Sequence, residues 1–167
     1  MTDSVETVTP VTLLAYDRPK VVKDAQQAAV LGLHHKGSIE YTEGPLRWNG
    51  IAHHRVASAG EYPLHADCSA YVTWCLWNAL KIGYDRSDTV NGEHWQAGYT
   101  GTMLEHGRVV TAPEPGDAVI YGNQWPGAHT AIYTGGGLVV SHGNSEGPKL
   151  LRWNQMGIPV LSIRRYL

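Results

Sequence analysis

The segment His65-Ala-Asp-Cys-Ser-Ala-Tyr-Val72 marks the start of the strongest predicted helix in this sequence. The apolar side chains that follow recur at three- and four-residue spacing: Val72, Cys75, Leu76, Ala79 and Leu80. This pattern predicts an amphipathic helix from Cys68 to about Ile82. Asp67 directly precedes the first turn, where a carboxylate can accept hydrogen bonds from unpaired backbone N–H groups. We therefore expect Asp67 to cap a helix that begins at Cys68.

The regions on either side of this helix differ in their periodicity. Toward the N-terminus, three- and four-residue spacing predicts a second amphipathic helix from Arg18 to Leu33, and the Gly- and Pro-rich stretch from Ile39 to Leu64 predicts a mainly irregular segment. Toward the C-terminus, one short helix is predicted near Gly92 to Leu104. The period then changes to two, which predicts four strands: Ala118 to Tyr121, His129 to Thr134, Leu138 to His142 and Val160 to Arg164. Helices followed by an antiparallel sheet indicate an α+β domain.

Length and composition limit the classes of protein that fit this sequence. The chain has 167 residues, of which 43% are hydrophobic and 17% charged, as expected of one folded domain. We expect residues 1–16 to form an N-terminal arm, or an edge strand from Val8 to Leu14, and residues 17–167 to form the single domain. The first residues carry acidic side chains where a signal peptide would be basic and then apolar, and no long apolar run follows. A formal net charge of −2 argues against a nucleic-acid partner. Taken together, these features lead us to expect no signal peptide, no membrane insertion and no nucleic-acid partner.

The two cysteines have different predicted environments. Cys68 and Cys75 lie seven residues apart on one helix, about 10.5 Å along its axis, which is beyond the roughly 7 Å that a disulfide spans. Both are therefore expected to be free thiols, and Cys75, on the apolar stripe, to be buried and inert. Cys68 lies in the first turn, where backbone N–H groups and the helix dipole favour a thiolate and can stabilise an oxyanion. Cys68 is the candidate nucleophile.

A predicted hairpin supplies a candidate base. The strands that begin at His129 and end at His142 flank a Gly-rich turn, and a two-residue loop at Gly135-Gly136 would place these two imidazoles directly opposite each other. One imidazole could then orient the other, as an activated thiol requires. A three-residue turn would instead move His142 out of register.

A zinc site is the alternative use of the same residues. His65 lies three residues before Cys68, and with His129 and His142 it could complete a four-ligand set. The sequence contains no second closely spaced ligand pair, and the helix start already accounts for Cys68. We therefore expect thiol chemistry with no metal and no cofactor.

Four segments resemble, in the same order along the chain, the motifs of the NlpC/P60 cysteine peptidases, which cleave peptidoglycan stem peptides. His65–Val72 matches the D-C-S helix start, and Pro113–Tyr121 matches the P-G-D strand. Ala128–Tyr133 matches the H-V-G-I-Y strand, and Val140–His142 matches the segment that carries the third catalytic group. The segments Tyr41–Trp48 and Ala66–Leu80 further resemble catalytic domains of endolysins from phages of actinobacteria.

The resemblance implies a papain-like α+β fold in which the nucleophile helix packs on a C-terminal antiparallel sheet. It implies Cys68 as nucleophile, His129 as general base and His142 as the residue that orients His129. The supporting residues that it implies are Tyr41, near the thiol, Asp67, Ser69 and Asn144, the last as an alternative third group. Residues 17–167 would then be one catalytic domain.

The sequence is rich in aromatic rings, with six Trp, nine Tyr and no Phe. We expect four of them, in predicted loops, to line a substrate groove: Trp48, Tyr62, Trp95 and Trp125. The resemblance implies a monomeric hydrolase that cleaves an amide bond of the stem peptide, is made in the cytoplasm of a phage host and acts on the cell wall. Two alternatives stay open, a CHAP-like amidase or endopeptidase and a non-catalytic wall-binding module.

Overall fold

The computed structural model describes residues 18–53, 57–80, 89–90, 93–94 and 98–167. The α-helices in these ranges are α1 Arg18–His34, α2 Leu46–His53, α3 Cys68–Leu80 and α4 Thr100–Glu105, with short 3-10 helices at Lys36–Ser38 and Ala57–Ala59. The short strands of the N-terminal half are β1 Glu40–Tyr41, β2 His65–Ala66, β3 Thr89–Val90 and β4 Glu93–His94. The remaining strands are β5 Arg108–Val110, β6 Ala118–Tyr121, β7 His129–Gly135, β8 Leu138–Ser141, β9 Lys149–Arg152 and β10 Val160–Arg165. The predicted N-terminal arm and Trp95 lie outside the described residues.

Six strands form one antiparallel sheet, in the order β5-β10-β6-β7-β8-β9. The strands β1 and β2 form a separate parallel pair that places Tyr41 beside Ala66, immediately before the start of α3. A further antiparallel pair joins β3 and β4. The chain thus has the predicted α+β architecture.

The main core lies between the helices and one face of the six-stranded sheet. Buried side chains of α1 and α3 meet those of β6, β7 and β8, the largest of them being Trp74, Tyr71, Leu76, Ile120 and Ile132. The Tyr71 hydroxyl donates a hydrogen bond of 2.7 Å to the carbonyl of Ala29, which fastens α3 to α1. The position of α3, and with it that of Cys68, is therefore fixed by extensive apolar burial.

A second buried cluster covers the opposite face of the sheet. It contains alternate residues of β6, β7 and β8 together with one residue of β10: Val119, Tyr121, Ala131, Tyr133, Val139 and Ile163. Residues Ile120, Ile132 and Val140 face the helices instead. Because both faces of these strands are buried, their sequences are apolar almost throughout, and neighbouring side chains divide between the two faces.

Asp117, within the P-G-D segment, has a structural role. Its buried carboxylate accepts hydrogen bonds of 2.9 and 2.8 Å from Nε and Nη2 of Arg165, and a third, of 2.7 Å, from the backbone N–H of Glu114. A bidentate arginine pair of this kind fixes both distance and orientation. It joins the end of β10 to the loop that leads into β6.

The long elements follow the sequence predictions, and the short ones depart from them. The predicted helices beginning at Arg18 and Cys68 and the four predicted strands are confirmed to within one or two residues where the chain is described. The prediction of a mainly irregular segment from Ile39 to Leu64 is wrong, because β1 and α2 form within it. The short helix begins at Thr100 rather than near Gly92, and β5 and β9 were not predicted. In the described part of the chain, no helix has the length and apolarity needed to cross a membrane.

Candidate active site

The start of α3 is held by Asp67, as predicted. Its Oδ1 accepts a hydrogen bond of 2.7 Å from the backbone N–H of Ala70 and one of 2.9 Å from the Ser69 hydroxyl. Both side chains are buried, with exposed fractions of 4% for Asp67 and 3% for Ser69. The cap fixes the first turn, and with it the backbone that carries Cys68.

Arg47, at the start of α2, makes the other contact of this carboxylate. Its Nη1 forms a hydrogen-bonded ion pair with Asp67 Oδ2, and its guanidinium lies over the ring of Trp48, 4.7 Å from the ring centroid. The guanidinium is thus placed between the cap of α3 and one of the predicted groove residues. Arg47 was not among the predicted site residues.

The Cys68 thiol is nearly buried and is protonated at neutral pH. Burial, with a smaller contribution from the negative charge of Asp67, raises its pKa to about 12. The backbone groups of Thr130 and Ser69, together with the charge of Arg47, act in the opposite direction. The effect of Thr130 indicates that the thiol lies near the beginning of β7. Both Cys68 and Cys75 are free thiols, as predicted.

His129, the first residue of β7, carries the candidate base. Its Nε2 lies 2.7 Å from Oγ of Ser141, which is itself buried. Burial lowers the pKa of His129 to about 4, while the nearby carboxylate of Asp67 raises it and His142 lowers it. The imidazole is therefore neutral at pH 7, and it lies next in sequence to Thr130, whose backbone lowers the pKa of Cys68.

The predicted register of the hairpin is wrong. The structure pairs Ile132 with Val140 and Gly135 with Leu138, with an irregularity between Tyr133 and Gly135. The loop residues are Gly136 and Gly137, which alone would shift the pairing by two residues relative to a loop at Gly135-Gly136. The irregularity between Tyr133 and Gly135 takes one residue back, so the strands are shifted by one beyond it. Continuing the observed register places Gly143, not His142, opposite His129, and a Cβ added to Gly143 would lie only 3.3 Å from Cε1 of His129.

His142 consequently lies on the other side of its strand from Ser141. Its ring is 1% exposed and packs edge-on against Tyr41, with ring centroids 5.3 Å apart. Neither of its ring nitrogens has a hydrogen-bond partner among the residues that the structure describes. Burial lowers the pKa of His142, against the opposing effect of backbone groups of Glu40, Gly147 and Ala66 and of the Asp67 charge. Its ring is thus packed among aromatic and backbone groups rather than hydrogen-bonded to His129.

The two other predicted supporting residues lie on opposite sides of the site. The hydroxyl of Tyr41 donates a hydrogen bond of 3.0 Å to Glu43. Its pKa is raised, first by burial and then by the charge that Cys68 carries when it is ionised. The exposed Asn144 accepts a hydrogen bond of 3.0 Å from the backbone N–H of Glu146 and lines a cavity together with His129.

The three predicted groove residues that the structure describes have different surroundings. Trp48 is half-buried beside Arg47 at the site. Tyr62 stacks on His35, with ring centroids 4.0 Å apart, and packs against the main core. Trp125 is 55% exposed in the loop that leads to His129. Trp48 and Trp125 therefore remain candidates for substrate contact.

The alternative zinc set is not assembled. Within the described ranges, no group of three or more His, Cys, Asp or Glu side chains is placed to hold a metal ion. His65 instead lies with its Nδ1 3.4 Å from a carboxylate oxygen of Glu40.

Two residues that contact the predicted site were missed by sequence reasoning, Ser141 and Arg47. The signal for Ser141 was present in the strand alternation, which places it on the face of His129 once the hairpin has its observed register. No local signal identifies Arg47, because its contact with Asp67 depends on how α2 packs against the start of α3.

Comparisons with known proteins identify the fold. No family model matches the sequence, and no curated protein matches it. Among solved structures, NlpC1 from Trichomonas vaginalis superimposes with a TM-score of 0.57 at 21% identity, over 86% of this chain and 44% of that one. The peptidoglycan hydrolase RipB from Mycobacterium tuberculosis gives a TM-score of 0.56 at 16% identity, over 89% of this chain and 67% of that one.

The chain also matches one isolated domain over most of that domain's length. The NlpC/p60 domain of the peptidoglycan hydrolase SagA gives a TM-score of 0.53 at 16% identity, over 84% of this chain and 97% of that one. This chain therefore spans less than half of NlpC1 but nearly all of an isolated NlpC/P60 domain. The chain has the α+β fold of the NlpC/P60 domains.

Proposed function

We propose that this chain is a cysteine peptidase that hydrolyses an amide bond in the stem peptide of bacterial peptidoglycan. The observation that carries the proposal is the meeting of the start of α3 with the start of β7. There α3 packs against β7. The backbone of Thr130 is close enough to the Cys68 thiol to lower its pKa, and the neighbouring His129 ring contacts Ser141 through Nε2. A thiol, a base and a group that fixes the base are the parts that nucleophilic acyl transfer needs.

The pKa values indicate how the nucleophile is activated. With Cys68 near 12 and His129 near 4, thiol and imidazole are both neutral at pH 7. The proton must therefore move from sulfur to His129 as the sulfur attacks the substrate carbonyl. The S–C bond forms, His129 then gives the proton to the amine nitrogen as the C–N bond breaks, and water releases the acyl group in a second step with His129 as base.

Ser141 is the group that we assign to orient His129, in place of the predicted His142 or Asn144. When Nε2–H donates to Ser141 Oγ, the lone pair of Nδ1 remains to accept the thiol proton. His142 contributes a buried wall beneath Tyr41 in this account.

The backbone at the helix start supplies charge stabilisation. The N–H of Ala70 is already bonded to Asp67, and the backbone of Ser69 is close enough to the sulfur to lower the pKa of the thiol. We assign the N–H of Cys68 itself to the oxyanion that forms on the attacked carbonyl. This N–H group stabilises the oxyanion because its dipole is already in position and needs no reorganisation during the reaction.

A finer proposal concerns the biological setting. The segments Tyr41–Trp48 and Ala66–Leu80, which resemble actinobacteriophage endolysins, support a phage endolysin that is made in the host cytoplasm and acts on the cell wall as a monomer. Sedimentation of the purified protein tests the monomer. Lysis of actinobacterial cells, but not of other bacteria, tests the host range.

The experiment that tests the function uses purified cell walls and analysis of the released fragments. Wild type should release fragments with new amino termini, and Cys68→Ala should release none while still sedimenting with the walls. A newly freed L-Ala amine would indicate an amidase, and an amine further along the stem an endopeptidase. Equal effects of wild type and Cys68→Ala on the walls would support a binding module and overturn the proposal.

A further inference from the structure

The carboxylate of Asp67 is buried at the start of α3, directly before Cys68 in the chain, and its side chain is 5% exposed. Its Oδ1 accepts hydrogen bonds from two neutral donors, the N–H of Ala70 and the Ser69 hydroxyl. Its Oδ2 is paired with the guanidinium of Arg47, whose side chain is 24% exposed. The cap of α3 therefore brings a negative charge into a site that water reaches poorly, and Arg47 supplies the opposite charge.

The charge of this carboxylate opposes the chemistry of the sulfur. If the proposed function holds, Cys68 loses its proton as it attacks, and a nearby anion disfavours the negative charge that develops. Burial is the main reason that the pKa of Cys68 is raised, and the Asp67 charge adds to it, whereas the Arg47 charge lowers it. The residue that fixes the helix start thus hinders the nucleophile unless its charge is balanced.

The position of Arg47 is fixed from two sides. Its guanidinium is paired with Asp67 and lies over the Trp48 ring, 4.7 Å from the ring centroid. The helix α2, which carries both Arg47 and Trp48, packs against β2, the strand that leads into Asp67. Because Asp67 is shielded from water, loss of the arginine leaves an unbalanced buried charge, which has a larger effect than loss of an exposed ion pair.

The other titratable side chains around this carboxylate come from β1, the turn after it, β2, the start of β7 and the end of β8: Glu40, Tyr41, Glu43, His65, His129 and His142. Burial raises the pKa of the tyrosine and lowers the pKa values of the last two histidines, so these three are neutral at pH 7. The two glutamates are exposed and add negative charge, and His65 lies beside Glu40. Within the described part of the chain, Arg47 is thus the permanent cation in contact with Asp67.

We propose that Arg47 is a positioning residue for the reaction, which holds the Asp67 carboxylate in the helix cap and neutralises its charge beside Cys68. The proposal rests on the proposed function for the reaction that Arg47 assists. The effect of Arg47 on the thiol does not depend on a substrate and can be measured alone.

Alkylation of Cys68 by iodoacetamide at neutral pH measures the effect on the thiol. Arg47→Gln leaves the Asp67 charge unbalanced and should slow alkylation by about three- to tenfold, as expected when the pKa of the thiol rises by up to about one. The double variant Arg47→Gln/Asp67→Asn lacks both charges and should alkylate at least as fast as wild type. If Arg47 only stabilised the fold, Arg47→Gln would expose the thiol and speed alkylation. Faster or unchanged alkylation in Arg47→Gln would overturn the proposal.

Two further variants serve as controls. Arg47→Lys keeps a positive charge and should recover most of the wild-type rate, although an ammonium group lacks the planar fork of a guanidinium. Arg18→Gln, which removes the guanidinium of an exposed pair with Glu114, is the matched control and should leave the rate unchanged. The double variant also covers the case in which Arg47→Gln does not fold, because a rate below wild type in the double variant would by itself contradict the charge balance.

The pH dependence of cleavage gives a second readout. Burial lowers the pKa of His129 to about 4, and the Asp67 charge opposes that shift. In Arg47→Gln the unbalanced carboxylate stabilises protonated His129 more strongly, so the acid limb of kcat/KM should move upward by about half to one pH unit and return in the double variant. A merely structural role would lower kcat/KM at every pH without moving the limb. An unmoved acid limb in folded Arg47→Gln would also overturn the proposal.

The two readouts separate this proposal from the function on which it rests. The predicted order of alkylation rates, without cleavage of peptidoglycan by wild type, would retain the charge balance at the thiol and reject the peptidase. Cleavage by wild type, with alkylation unchanged in Arg47→Gln, would retain the peptidase and reject the role of Arg47.

Discussion

His129 Nε2 and Ser141 Oγ lie 2.7 Å apart across the β7–β8 hairpin, and this contact fixes the imidazole at the start of β7. The one-residue difference between the predicted and observed registers decides that the contact is made by Ser141 and not by His142. A hydroxyl is a weaker orienting group than a charged partner, because neutral hydrogen bonds contribute only about 0.5–1.5 kcal/mol.

The first prediction concerns this hydroxyl. Ser141→Ala should lower kcat by about two- to tenfold with KM nearly unchanged, the loss expected from one neutral hydrogen bond that positions the base. Ser141→Thr, which keeps the hydroxyl, should recover part of that loss. Steady-state kinetics on a peptide substrate, with NMR of the His129 ring nitrogens, measures both effects. Wild-type kcat in Ser141→Ala would remove Ser141 from the mechanism.

The second prediction concerns the reactivity of the thiol. Because burial raises the pKa of Cys68 to about 12, alkylation by iodoacetamide should be slow at pH 7 and should accelerate continuously toward pH 10. A preformed thiolate would instead give a rate that is already high and constant near pH 6. Mass spectrometry after timed alkylation measures the rate. Cys75→Ala is the matched control and should alkylate at the same rate as wild type, since Cys75 is fully buried.

The third prediction concerns acid pH. Burial lowers the pKa of His129 to about 4, so the neutral base persists well below the ordinary histidine value of about 6.5, and kcat/KM should fall only as the pH approaches 4. The same shift reduces the free energy of unfolding as pH falls below about 6.5, because the unfolded chain then binds protons that the folded chain does not. His142, whose pKa is also lowered, acts in the same direction. Melting curves at each pH distinguish loss of catalytic activity from loss of folded protein. An activity loss centred near pH 6.5 in fully folded protein would contradict the prediction.

The fourth prediction separates the two roles of Asp67. Asp67→Asn keeps an N-cap of equal quality but loses the ion pair with Arg47, whereas Asp67→Ala loses both. We expect Asp67→Ala to lower the free energy of unfolding by roughly 1–2 kcal/mol more than Asp67→Asn, the usual contribution of a cap. Denaturant unfolding of both variants measures the difference. Equal stability of the two would show that the hydrogen bond to Ala70 does not stabilise α3.

Asp67→Asn should also change the thiol. Because the Asp67 charge raises the pKa of Cys68, its removal should speed alkylation at a given pH. A slower rate in this variant would contradict the assigned sign.

The fifth prediction concerns the packing that brings Arg47 to the site. A Cβ added at Gly50 in α2 would lie 2.2 Å from the backbone carbonyl oxygen of His65, which cannot rotate away. Gly50→Ala should therefore cost about 1–3 kcal/mol of stability and reduce activity, although alanine is the better helix former. Gly37→Ala, where nothing lies within 4 Å of the added Cβ, is the control and should stay within about 0.5 kcal/mol of wild type. Unchanged stability of Gly50→Ala would show that α2 does not pack against β2 in this way.

The parts of the fold that the sequence predicts are those with a long, regular burial pattern. The helix at Cys68 has a buried face that recurs every three to four residues, and the strands β6, β7 and β8 have long apolar runs, so these elements can be recognised. The helix α2 has eight residues and includes Gly50 where its backbone approaches His65, so its sequence resembles a loop. Close packing, rather than local preference, stabilises α2, and packing is not visible in local periodicity.

The candidate site likewise contains contacts that the sequence predicts and contacts that it does not. Asp67 was recognised as a cap because its hydrogen bond is local, to a backbone group three residues away. The partner of His129 depended on the conformation of a turn composed of three glycines, at Gly135, Gly136 and Gly137, all of which have positive φ angles. Such a turn fits more than one loop length, so the register could not be fixed from the sequence.

The most direct test of the central claim is the release of new amino termini from purified peptidoglycan by wild type, Cys68→Ala and His129→Ala, each confirmed as folded by circular dichroism. The account predicts that wild type releases new amines and that each variant loses at least about a thousandfold of the rate, since nucleophile and base act as a unit. Release of amines by Cys68→Ala at the wild-type rate would contradict it.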